Sequence, residues 1–117
     1  MIRLDGRKTL VTGGSRGIGR ATALMFAQAG SDVAITYGRN DAAALEAGKE
    51  IEKLGRSCLI FKADLTVESE VRRLVEEIIE QWGEFDTVVN NAGIWTYGEM
   101  GNMMKNVWEE TIRVNLD

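Results

Sequence analysis

The chain has 117 residues, 44% of them apolar, and a formal net charge of −4 with acids and bases interspersed. That suits one globular domain and points away from nucleic acid as a partner. With no histidine and a single cysteine, Cys58, neither a disulfide framework nor a Cys/His metal site can be built from it.

The first residues, Met1 to Gly6, lack the apolar core of a signal peptide, and no apolar run is long enough to span a bilayer. Cytoplasm, without a membrane partner, is the expected location. Proline is absent from the sequence, where average usage would give about six. Regular elements joined by short loops are therefore expected.

Lys8 to Thr12 is short and apolar and reads as the first strand. It runs into Thr12-Gly13-Gly14-Ser15-Arg16-Gly17-Ile18-Gly19, and the glycines run into a helical pattern. Strand, glycine cluster and helix in that order signal a phosphate-binding turn. Gly13 can turn the chain sharply, Gly17 lets backbone approach a phosphate, and Gly19 lets the helix pack closely. The helix N-terminus then offers free N–H groups and a positive dipole end to the anion. A Walker P-loop is excluded, because no Gly-Lys-Ser/Thr follows. The first helix is predicted from about Arg16 to Ala29, with Ile18, Ala21, Met25 and Ala29 as its buried face and Gly30 as its terminator.

Asp32 to Tyr37 reads as the second strand. The second helix is predicted from Asp41, as N-cap, to about Leu54, with Gly55 just past its end. Gly48 weakens that helix and marks a close approach to the sheet. Ser57 to Lys62 is the third strand, and Cys58 within it reads as a buried structural thiol. The third helix is predicted from Thr66, as N-cap, to Trp82, closed by Gly83. Val71, Leu74, Val75, Ile78 and Trp82 give it the clearest amphipathic face in the chain. Phe85 to Asn90 is the fourth strand, followed by a loop from Ile94 to about Gly101 and a last helix that reaches Asp117. Alternating strands and helices predict an α/β fold, a parallel sheet with helices on both faces.

The glycine turn, Asp64-Leu65, Asn90-Asn91-Ala92-Gly93 and the segment Trp108 to Leu116 fall where the short-chain dehydrogenase/reductase family carries its motifs. The chain resembles that family over essentially its whole length, and most nearly the 3-oxoacyl-acyl-carrier-protein reductase branch of fatty acid biosynthesis. The resemblance implies a Rossmann-type sheet of strand order 3-2-1-4, with residues 1–117 forming the dinucleotide-binding half of the domain. It also implies hydride transfer between a nicotinamide cofactor and a small carbonyl or alcohol substrate, acyl-carrier-linked substrates included. Homo-oligomers are usual in the family.

An NAD site places an acid at the end of the second strand for the ribose 2′-hydroxyl, and an NADP site replaces it with cations. In the family alignment Tyr37 takes the acid's place, and Arg39 follows it. Arg16, inside the turn, is a second cation, and a guanidinium can grip a phosphate with paired hydrogen bonds. NADP(H) is therefore favoured over NAD(H). Asp41 lies at the distance where a ribose-binding acid is sought, but an N-cap role suits it better.

The other carried-over roles come from the resemblance alone. Thr12, Gly13, Ser15, Gly17, Ile18 and Gly19 would line the phosphate turn. Asp64 would contact the adenine amino group, with Leu65 packed on the ring. Asn90 would tie the fourth strand to its neighbours, and Asn91, Ala92 and Gly93 would line the cofactor crevice. Asn115 would hold a water of the proton relay and is the candidate catalytic residue, with Val114 a cofactor contact beside it. The family's serine and its Tyr-x-x-x-Lys pair find no match. Tyr37 is followed four residues on by Asp41, and Tyr97 by Gly101.

Three readings stand at this level. The chain is the amino-terminal piece of a longer reductase, which its open last helix favours. Alternatively it is a stand-alone, non-catalytic dinucleotide-binding half-fold or interaction module. A phosphate binder unrelated to redox chemistry is the third, and saturation with NADPH but not ATP would separate it from the others.

Overall fold

Alternation along the strands decides this architecture. In strand β1 (Lys8–Thr12), Leu10 and Val11 are both fully buried yet point to opposite faces. A strand buried on both sides belongs to a sheet covered on both sides. The computed structural model describes residues 3–14, 17–83 and 85–90. Within them lie α1 (Gly17–Gln28), β2 (Asp32–Tyr37), α2 (Asp41–Lys53), β3 (Cys58–Lys62), α3 (Glu68–Trp82) and β4 (Thr87–Asn90). The strands pair in parallel in the order β3-β2-β1-β4, as expected. Leu10 faces Ala34 and Val88 in register, and Thr12 pairs with Asn90.

One face carries α3. Val71, Leu74, Val75 and Ile78 pack on Leu10, Ala34 and Phe85. These positions are the predicted stripe, and each side chain contributes about 1.5–3 kcal/mol by leaving water. Gly83 closes the helix in the left-handed conformation, its N–H donating to the Ile79 carbonyl at 2.7 Å. The other face carries α1 and α2, where Ala23, Ala27, Ala47 and Ile51 meet Val11, Val33 and Ile35.

The buried face of α1 is not the predicted one. Ile18 and Met25 are 78% and 68% exposed, and Ala21 is exposed too. Gly19, Ala23 and Ala27 face the sheet instead. The reason is closeness: a methyl on Gly19 would overlap the Gly13 carbonyl oxygen. A helix so near the strand presents its smallest residues, which a search for large apolar spacing passes over.

Two caps also move. Asn40, not Asp41, caps α2, its side-chain oxygen accepting the Ala43 N–H at 3.0 Å from an extended backbone. Asp41 is the first helical residue, where its charge suits the dipole. Helix α3 starts at Glu68 after Val67, because the Thr66 hydroxyl and N–H both donate to Asp64 Oδ1, at 2.6 and 2.9 Å. Strand β3 begins at Cys58 rather than Ser57, and β4 at Thr87 rather than Phe85, which is buried below the strand. Gly48 does mark a close approach: a methyl there would lie 2.5 Å from Ile60 Cδ1. Cys58 is half-buried, and burial with the Glu52 charge pushes its thiol up to about 12. The loop after β4 and the last helix lie outside the described residues.

At the amino ends of the strands, Lys8 Nζ bonds Asp32 Oδ2 at 2.5 Å and sits 5.6 Å from the centre of the Trp82 ring. Asp32 also accepts the Ser57 N–H at 2.9 Å. These contacts pin β1, β2 and the end of α3 at the edge away from the glycine turn.

Candidate functional site

In an open parallel sheet a ligand binds outside the carboxyl ends of the strands, where the chain's winding reverses. Here the reversal lies between β1, which leads out to β2, and β4 on its other side. The glycine turn leaves β1 at that point. Gly13 and Gly17 have φ of 68° and 61°, the left-handed region that favours glycine.

The turn is tied down by its neighbour strand. Gly13 N–H donates to Thr36 Oγ1 at 3.1 Å, and Gly14 N–H donates to the Thr36 carbonyl at 3.2 Å. A methyl on Gly14 would lie 2.5 Å from Ile35 Cγ2. Thr12 Oγ1 donates to the Val89 carbonyl at 3.4 Å, joining β1 to β4. With Gly13 and Gly14 already donating to Thr36, anion contacts fall to the amides at the start of α1. Gly17 fits that task. The space where its side chain would stand is open, with nothing within 4 Å. The turn thus leaves open space at Gly17, beside the first amides of α1 where an anion can be received. Ile18, strongly exposed, stands beside it. Arg20 reaches from α1 to Glu46 at 3.2 Å and to Glu50, fixing α1 against α2.

Tyr37 ends β2 and is half-buried, and Arg39 is exposed in the turn that follows. No carboxylate occupies the last position of β2. Hydrogen bonding to the nearby Asp41 carboxylate holds the Tyr37 phenol above its usual range. Lys62, the last residue of β3, places Nζ 4.0 Å from Asp41 Oδ1. After β3, Asp64 is exposed, and the Thr66 hydroxyl and N–H bonds hold its carboxyl below the usual carboxylate range. Its own N–H donates to Glu70 Oε1 at 3.0 Å. Leu65 is buried in the core with Ala63 and Val71, so its side chain is already packed inside the protein.

The structure therefore gathers Thr12, Gly13, Gly17, Ile18 and Gly19 at one turn, and places Tyr37, Arg39, Asp64 and Leu65 along the same edge of the sheet. Ser15, Arg16, Asn91, Ala92, Gly93, Val114 and Asn115 lie outside the described residues. Sequence reading missed Thr36 and Lys62. A buried threonine next to a strand end was the available signal for the first. Strand alternation, which puts Lys62 on the side of Ile60, was the signal for the second.

Sheet order and the glycine turn at the end of β1 define an α/β domain of Rossmann type. The chain belongs to the short chain dehydrogenase family, whose profile matches residues 7–117. It is 41% identical over 116 residues to L-rhamnose 1-dehydrogenase (NAD(P)(+)) of Sphingomonas sp. strain SKA58, covering 99% of this chain and 46% of that protein. It is 34% identical to a short-chain dehydrogenase/reductase of Pestalotiopsis microspora, covering 97% of this chain and 43% of the relative. Among solved structures, a short-chain dehydrogenase of Burkholderia cenocepacia J2315 in complex with NADP superposes with a TM-score of 0.84 at 35% identity, covering 92% of this chain and 51% of the other. Hydroxysteroid dehydrogenase of Escherichia coli superposes with a TM-score of 0.81 at 28% identity, over 97% of this chain and 55% of that one. The chain spans about half the length of these relatives. Among the described residues no helix is long and apolar enough to cross a membrane.

Proposed function

We propose that residues 1–117 form the dinucleotide-binding half of an NADP(H)-preferring short-chain reductase. The observation that carries this reading is the glycine cradle fixed to Thr36, beside a β2 end that offers Tyr37 and Arg39 instead of an acid. The bound nicotinamide would donate hydride to the substrate carbon in reduction and accept it in oxidation.

This chain's own residues would do the holding. Gly17, Ile18 and Gly19 would present the first amides of α1 to the pyrophosphate, with Thr12, Gly13 and Ser15 shaping the turn. Arg16 and Arg39 would face the 2′-phosphate. Asp64 would accept from the adenine amino group. Leu65, with its side chain in the core, would contribute only its main chain. Asn91, Ala92 and Gly93 would form the crevice floor, Val114 would border the nicotinamide, and Asn115 would position a relay water.

The substrate is proposed as a small carbonyl or its alcohol. The motif resemblance suggests a 3-oxoacyl thioester. The 41% identity to a rhamnose dehydrogenase supports an aldose, oxidised at its anomeric carbon, as a second reading. Nucleotide fluorescence titration tests the binding claim: NADPH should saturate the protein and ATP should not compete. Turnover assays on the full-length protein, with a 3-oxoacyl thioester plus NADPH and with L-rhamnose plus NADP+, distinguish the substrates. Failure of NADPH to bind would overturn the reading.

A further inference from the structure

The carboxyl ends of β2 and β3 carry a cluster that the glycine cradle does not use. Tyr37 and Lys62 are register partners across the two strands. Strand alternation puts both on the α1–α2 face, since Ile35 packs there and Ile60 lies under Gly48. Asp41, in the first turn of α2, meets them both. Its carboxylate lies 4.0 Å from Lys62 Nζ, and its charge helps hold the Tyr37 phenol above its usual range. The Asp41 and Lys62 side chains are 66% and 61% exposed, so each can turn toward a ligand at little cost.

Resting on the reading of the β2 end as the adenosine ribose position, we propose that Asp41 and Lys62 form an opposed pair that sets discrimination between a 2′-phosphate and a 2′-hydroxyl. Lys62 can exchange its loose contact with Asp41 for a phosphate oxygen. Asp41 repels a phosphate but accepts a hydrogen bond from a hydroxyl. Their charges cancel, so the site tolerates both nucleotides, and Arg39 in the turn beside them tilts the balance to the phosphate.

The test is the ratio of dissociation constants for NADPH and NADH, measured by fluorescence titration on the full-length protein and its variants. Asp41→Asn removes the repulsion and frees Lys62, and should move the ratio about three- to tenfold toward NADPH. Lys62→Gln leaves Asp41 unopposed and should move it by a similar factor toward NADH. A folding defect would weaken both nucleotides together and leave the ratio in place, so opposite movement of the ratio separates the two causes. An unchanged ratio in both variants, or movement in the same direction, overturns the proposal. If the unsubstituted protein binds neither nucleotide, the cofactor reading falls, and this inference with it. If both bind and only the ratio fails to respond, this inference alone falls.

Discussion

Gly48→Ala is the sharpest probe of how α2 sits on the sheet. Two effects oppose each other. Replacing a mid-helix glycine by alanine favours the helix by about 1 kcal/mol. The added methyl, however, would stand 2.5 Å from Ile60 Cδ1 and 3.7 Å from Cys58 Sγ. Overpacking of that kind costs about 1–3 kcal/mol when neighbours cannot move. Cδ1 is the far end of a side chain that is only half-buried, so the cost belongs at the low end. The single variant should therefore be destabilised by no more than about 1 kcal/mol. Ile60→Val deletes the very atom in the way, and alone should cost about 0.5–1.5 kcal/mol. In that background Gly48→Ala should become neutral or stabilising, with a coupling of at least about 0.5 kcal/mol. Urea unfolding of the four proteins in the cycle gives these values directly. An equal loss from Gly48→Ala with and without the Ile60→Val change would refute the idea that Cδ1 sets the helix–sheet distance.

Gly19→Ala should be far worse than Gly48→Ala, because its methyl meets the Gly13 backbone rather than a flexible side chain. Thermal melts should show it, and NADPH affinity should fall at least about tenfold as α1 is pushed off the turn. Asp32 makes an acid-sensitive contribution. Burial, the largest single influence, pushes its carboxyl up, but the Lys8 ammonium, the Ser57 N–H and Arg56 together hold it below its ordinary 3.8. A depressed folded value means this stability is present above 3.8 and is lost as pH falls through the folded value. Asp32→Asn should flatten the acid limb of a stability-versus-pH curve below about pH 4, and an unchanged limb would contradict the assignment. Cys58, with its thiol pushed up to about 12, should carry a thiolate fraction on the order of 10⁻⁴ at pH 8. A disulfide reagent should accordingly label it far more slowly in the folded protein than in the unfolded chain, and equal rates in the two states would contradict that.

The stripe on α3 was legible because large apolar side chains are what a helix buries when it rests at ordinary distance from a sheet. The same rule failed on α1, where Ile18 and Met25 are exposed and alanines are buried. Contact that close is signalled by small residues, and small residues also occur everywhere else. The strand order was legible from alternation and resemblance together. The caps were displaced by one or two positions because adjacent residues compete for the same backbone donors. Asn40 wins over Asp41, and Thr66 turns back to Asp64. At the candidate site, the glycines announced the cradle, but the threonine that anchors it did not. Thr36 looks like any β-branched strand residue until β1 and β2 are set in register. Lys62 reads as a solvated strand end until the start of α2 is placed beside it.

The Lys8–Asp32–Trp82 contacts and the glycine cradle sit at opposite ends of the same strands. A strand of five residues spans roughly 16 Å, well beyond the range over which substitutions usually interact. Changes at the two ends should therefore combine additively. Such separation lets a lineage alter what it binds without jeopardising its ability to fold, and regain lost stability without disturbing what it binds. An engineer can treat the amino edge of this sheet as a reserve of stabilising substitutions, and spend the carboxyl edge on changing ligand preference.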